Sequence, residues 1–169
     1  MIVVADTSPL NYLILVEAVE VLPRLFGTVL IPPAVRRELL HPGAPDRVRQ
    51  WAASLPEWVE IRSARPNPHR PLAELHDGER EAIELALDVD AGLVLVDEWA
   101  ARQVARALGM KVAGTLGVLD LAAEHGFIDF VEMATALRAT SFRVSDPVLQ
   151  PLIERHRRER PPLPPEEPL

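Results

Sequence analysis

Two short apolar runs, residues 2–5 and 93–96, each end in an aspartate, Asp6 and Asp97. Aliphatic runs without polar alternation predict strands buried on both faces, the habit of parallel sheets. In open α/β sheets ligands bind outside the carboxyl ends of the strands, so these two carboxylates share a crevice if their strands are neighbours. A third carboxylate comes from a helix predicted over residues 77–90. At about 100° per residue its wheel gathers Ala82, Ile83, Leu85, Ala86 and Leu87 on one face. Glu79 falls near the middle of that face, whereas Glu81, Glu84 and Asp88 fall away from it. An inward glutamate is costly unless it is paired, binds a cation or looks into a water-filled crevice. The plainer alternative is that Glu79 complements the helix dipole from position N2, worth about 0.3–1 kcal/mol. Glu38, beside Arg36 and Arg37, reads equally well as an ordinary exposed charge.

The chemistry open to such a set is that of hard oxygen ligands. The chain has no cysteine, which removes thiolate metal sites, a Cys nucleophile and a disulfide scaffold together. His41, His69, His76, His125 and His156 are scattered through predicted loops and helix ends, where solvated surface histidines are the ordinary outcome. No serine sits in a nucleophile-elbow context. Carboxylates on separate segments, without sulfur or clustered imidazole, select Mg²⁺ or Mn²⁺ over zinc or copper.

Elements able to position these groups follow from the hydrophobic pattern. Ser8 and Pro9 suit the N-cap and first position of a helix carrying Leu10, Leu13 and Ile14 inward. A second strand is expected at residues 28–31, a short helix at 34–40, another helix at 45–55 with Val48, Trp51 and Ala52 inward, and a strand at 58–61. Residues 64–71 hold three prolines and read as a loop. Helix 99–108, strand 111–113 and helices 115–125 and 129–139 complete the pattern. Apolar strands alternating with helices predict a three-layer α/β/α sandwich with a mostly parallel central sheet. No internal repeat is present.

The ordered set of segments resembles a PIN domain. Residues 3–10 (VVADTSPL), residues 31–35 (IPPAV) leading to Glu38, residues 78–83 (GEREAI), residues 95–98 (LVDE) with Ala101 and Arg102, and residues 114–119 (GTLGVL) carry the likeness over roughly residues 1–140. It is most similar to the compact prokaryotic branch that includes VapC-type toxins. The resemblance implies a metal-dependent endoribonuclease, with Asp6, Glu38, Glu79 and Asp97 as catalytic acids and Asp6, Glu79 and Asp97 as ligands of Mg²⁺ or Mn²⁺. By position it adds Thr115, where a small polar residue joins the site, and keeps Glu81 as the fallback for Glu79. Thr7, Ser8 and Glu98 are secondary candidates; Glu98 stands where a second Asp is common, and the helical acid is Glu rather than Asp. The resemblance further implies an RNA substrate, a cognate antitoxin protein and a homodimer.

The length fits one nuclease domain over residues 1–145, a helical extension with a basic cluster at 146–160, and a tail at 161–169 that holds five of the 17 prolines and is expected to be disordered. With 25 acidic against 18 basic residues the net charge is −7. A nucleic-acid partner therefore requires a local basic patch, or metal ions that invert the sign of the carboxylates. The Arg155–Arg160 cluster serves equally as an RNA-backbone contact or a solvated helix end. No basic leader precedes the first strand and no apolar run approaches the roughly 20 residues of a membrane span, so a cytoplasmic location with no membrane contact is expected. The competing class is a non-catalytic PIN-like nucleic-acid-binding or regulatory module. A phosphotransfer receiver would want its lysine after a strand, whereas Lys111 opens one. A haloacid-dehalogenase-type phosphatase would want an aspartate at position 8, which is Ser8.

Overall fold

The computed structural model describes residues 1–65, 72 and 74–159. The proline-rich stretch 66–71 with His69, and the chain from Arg160 through the tail 161–169, lie outside the described residues. The elements run β1 (Val3–Ala5), α1 (Thr7–Leu15), α2 (Val21–Phe26), β2 (Val29–Ile31), α3 (Pro33–Leu39), α4 (Asp46–Ala53), β3 (Val59–Ile61), α5 (Asp77–Asp88), β4 (Leu93–Leu95), α6 (Trp99–Ala107), β5 (Val112–Ala113), α7 (Thr115–Glu124), α8 (Phe130–Arg138) and α9 (Asp146–Glu159). The five strands form one all-parallel sheet in the order β3-β2-β1-β4-β5.

Strand parity divides the core into two layers. Val3 and Ala5 of β1, with Val29, Ile31 and Leu95, join the core built with α1, α2, α3, α4, α7, α8 and α9. Val4, Leu30, Val94 and Val96 face the opposite way, into a smaller core with Ala82, Ile83, Leu85 and Ala86 of α5 and Ala101 and Ala105 of α6. Strands covered on both faces need no polar alternation, which is why these segments read as continuous apolar runs.

β1 occupies the centre, paired in parallel with β2 on one side and with β4 on the other, Ala5 opposite Leu95. The chain leaves β1 toward β2 and β3, then returns across the sheet to β4 and β5, so the direction of winding reverses between β1 and β4. That reversal leaves a crevice at the carboxyl ends of these two strands.

Three local expectations need correction. Helix α1 begins at Thr7 with Asp6 as N-cap residue, not Ser8, because Asp6 is already extended at φ −83° and ψ 172°. Pro9 still fits, since the first turn of a helix has no internal acceptor for its N–H groups. Helix α2 carries no clear signal because it has only six residues and includes Pro23. His156 is not a solvated surface residue: its side chain is 9% exposed, stacks on Phe130 at 4.6 Å and lies 2.7 Å from Asp120. Arg155 is likewise held by Asp120 and Glu124, and α9 buries Leu149 and Ile153 against the larger core.

The smaller core rests on few large side chains, Ile83 and Leu85 of α5 among them. Ile83 is fully buried there, and Ile83→Ala is expected to destabilise the protein by roughly 2–5 kcal/mol, read as a lower urea midpoint at unchanged slope.

Candidate active site

Asp6 extends the sheet one residue past β1, its amide donating to the Leu95 carbonyl at 2.9 Å. Its parity is that of Val4, which places its side chain on the α5 side of the sheet, where it is only 3% exposed. The carboxylate's Oδ1 has no hydrogen-bond partner. Burial pushes the Asp6 carboxyl up to about 7; repulsion from Glu79, Glu38 and Asp97 adds to the shift, while the Thr7 amide opposes it.

Glu79 stands at N3 of α5, one position further in than the helix start read from sequence, and is 8% exposed. Its Oε2 accepts the His76 amide at 3.2 Å, so it closes the helix N-terminus while its other oxygen remains available. Burial raises its pKa, helped by Glu98 and Glu38 and opposed by the His76 amide and ring.

Glu38, at the end of α3, is drawn into this group by two donors. The Thr7 hydroxyl binds its Oε2, and the Gly78 amide in the first turn of α5 binds its Oε1 at 2.9 Å. A Cβ at position 78 would stand 2.5 Å from Glu38 Oε2, so the close approach of α3 to α5 depends on glycine there.

Asp97 is fixed from the opposite face of the sheet. The amide and hydroxyl of Thr115, at the start of α7, donate to its two oxygens, each at 2.7 Å. Burial nonetheless raises its pKa, with Thr115 and the positive charge of Arg102 pulling it down. Gly114 allows the approach, since a Cβ there would meet Asp97 Oδ1 at 2.6 Å.

Two adjoining crevices display these groups. One, of about 650 Å³, is lined by Asp6, Thr7, Ser8, Glu38 and Glu79 with His76 and Arg80. The other, of about 870 Å³, shares Ser8, His76 and Glu79 and adds Asp97, Glu98 and Arg102. Glu81 is not in either. Its carboxylate accepts the Ala34 amide at 2.9 Å and pairs with Arg37, tying α5 to the first turn of α3. Local pattern carries no sign that Gly78 and Gly114 admit the carboxylates, nor of the partnership between Thr7 and Glu38, because both arise from contacts between distant segments.

The donor set is suited to a hard divalent cation: every converging group is a carboxylate, and the central one keeps a buried oxygen without a partner. Among the described residues no three Asp, Glu or His side chains yet close into a coordination cage.

A PIN-domain family model matches residues 2–158. The chain belongs to the PIN-domain family. No curated protein and no solved structure matches it significantly. PIN domains are in general nucleases that act on nucleic acids with divalent metal ions. The match runs through α9, beyond the residues that carry the likeness in the sequence. Among the described residues no helix of this PIN domain is long and apolar enough to cross a membrane.

The raised pKa of Asp6 carries a stability consequence. An acid whose folded pKa lies above its unfolded value binds its proton more tightly when folded, so ionisation costs stability. In EDTA the protein should therefore lose stability as pH rises from about 4 to about 7, the window set by the shift at Asp6. Asp6→Asn should flatten that dependence and be more stable than the parent at pH 8 by roughly 2–4 kcal/mol. Denaturant titrations across pH measure it. A variant that is less stable throughout would make Asp6 a structural capping residue.

Proposed function

We propose that this PIN domain is a metal-dependent endoribonuclease that hydrolyses RNA phosphodiesters, of the kind that serves as the toxin of a toxin–antitoxin pair. The observation that supports it is the buried Asp6 carboxylate with an unpartnered oxygen, set at the winding reversal of the sheet among Glu38, Glu79 and Asp97. Such an arrangement is costly to the fold alone and useful to a cation.

Asp6, Glu79 and Asp97 would hold Mg²⁺ or Mn²⁺, with Glu38 orienting water at the rim. A bound ion of this kind lowers the pKa of water and offsets charge on the phosphate. The remaining work belongs to the protein. Thr115 holds Asp97 in one orientation through both of its oxygens, and the His76 amide aims Glu79. Thr7 and Gly78 draw Glu38 toward the other acids. A toxin role adds a cognate antitoxin that masks the crevice, a homodimeric assembly and a cytoplasmic setting to this reading.

Cleavage of single-stranded RNA by the purified protein in Mg²⁺ or Mn²⁺, abolished by EDTA, is the expected result. Glu79→Gln should lower the rate by about 100-fold or more, whereas Glu81→Gln should leave most of it. Thr115→Val should cost about 10–100-fold by freeing Asp97. Cleavage that survives chelation, or the reverse ranking of the two glutamates, would overturn the assignment.

A further inference from the structure

The second crevice is larger than a metal site needs. Beyond Glu79, Asp97 and Glu98 it runs past Arg102, Tyr12, Phe142 and Arg143 to a wall formed by Val148 and Leu152 of α9. Its volume of about 870 Å³ lies near the top of the range for small-ligand sites, roughly 300–1,000 Å³, and it is continuous with the carboxylates.

Two of its lining side chains, Arg102 and Arg143, are cations. In a chain of net charge −7, eight arginines among the described residues are paired with carboxylates. Arg102 and Arg143, like Arg24, Arg36, Arg106, Arg157 and Arg158, have no such ion pair, but of these only Arg102 and Arg143 line the crevice, where Asp97 lies close enough to Arg102 to feel its charge. Beside them Phe142 packs edge-on against Tyr12, ring centroids 4.9 Å apart at 79°, and the Tyr12 hydroxyl is 3.2 Å from Ser141 Oγ. Both rings are half-buried and line the crevice. Unpaired guanidinium groups interleaved with aromatic rings are what a single-stranded nucleic acid asks for: cations for phosphates, ring surfaces for unstacked bases.

We propose that this crevice is the track for a single-stranded RNA segment leading to the carboxylates, with Arg102 and Arg143 contacting phosphates and Phe142, braced by Tyr12, stacking a base. The α8–α9 connection and α9 then act as the wall that determines which RNA is accepted. The inference rests on the nuclease reading only for the identity of the substrate.

Binding is measured without turnover, by fluorescence anisotropy of a labelled single-stranded RNA of about 12 nucleotides, a length within single-strand site sizes, in EDTA across a salt series. Arg102→Ala and Arg143→Ala should each weaken binding about tenfold and lower the log–log salt slope by about 0.7, the signature of one lost phosphate contact. Arg143→Lys should keep the slope. Phe142→Leu should weaken binding about tenfold at unchanged slope, with Phe142→Tyr restoring it. Arg106→Ala, on the exposed end of α6, should match the parent. Failure of the parent to bind, or binding indifferent to Arg102, Arg143 and Phe142, as in a crevice built for a protein segment, overturns the proposal. Cleavage combined with such indifference would refute the track and leave the nuclease standing; residue-dependent binding without cleavage under any metal would do the reverse.

Discussion

Burying one carboxylate at the end of the central strand is the constraint around which this molecule is arranged. Two carboxylates about 5 Å apart repel by roughly 3 kcal/mol at an effective dielectric near 20, and Asp6 has three acidic neighbours acting on it. Arg102 offsets part of the charge on Asp97, but among the described residues no arginine forms an ion pair with any of the four acids. The protein holds each neighbour with neutral donors: Thr115 for Asp97, the His76 amide for Glu79, Thr7 and the Gly78 amide for Glu38. Repulsion is thus resisted by fixed neutral donors, while the buried Oδ1 of Asp6 stays without a partner. A chain of arginine partners would have filled the same lone pairs that a cation requires.

The sheet topology makes that arrangement possible. Because winding reverses between β1 and β4, no crossover helix covers the carboxyl ends of these two strands, and the acids can reach both sheet faces. Asp6 meets α5 on one side, while Asp97 meets α7 on the other. The helices bring their first turns to the site, where backbone amides are free of internal partners and can hold carboxylates.

Charge is distributed to the same end. Eight arginines among the described residues are committed to ion pairs, which contribute little stability individually where exposed but remove those cations from competition for the crevice. The two left unpaired along its wall lie downstream of the acids, so an approaching phosphate chain would meet positive charge beside a negative cluster. The aromatic pair Tyr12 and Phe142 lies between segments 130 residues apart in sequence, which ties the C-terminal helices to the site rather than leaving them as an appendage.

Local pattern determined the layered fold and the central acids. Continuous apolar runs of four residues are too short for helices and read as strands covered on both faces, and the polar residue that ends such a run falls at the sheet's carboxyl edge; this made Asp6 and Asp97 visible. The wheel of α5 turned Glu79 inward because a helix has one apolar stripe and Glu79 interrupts it. The six-residue α2 was illegible, as its proline and short length leave no period to detect. Only the tertiary structure decided that β1 and β4 are neighbours, that Glu38 is pulled inward from an exposed-looking position beside two arginines, and that Glu81 serves to tie α5 to α3. It alone showed Gly78 and Gly114 as the openings that admit carboxylates. The physical reason is the same in each case: periodicity reports which face of an element is buried, but the identity of the group across the gap depends on contacts between segments far apart in the chain, and those form only when the elements pack.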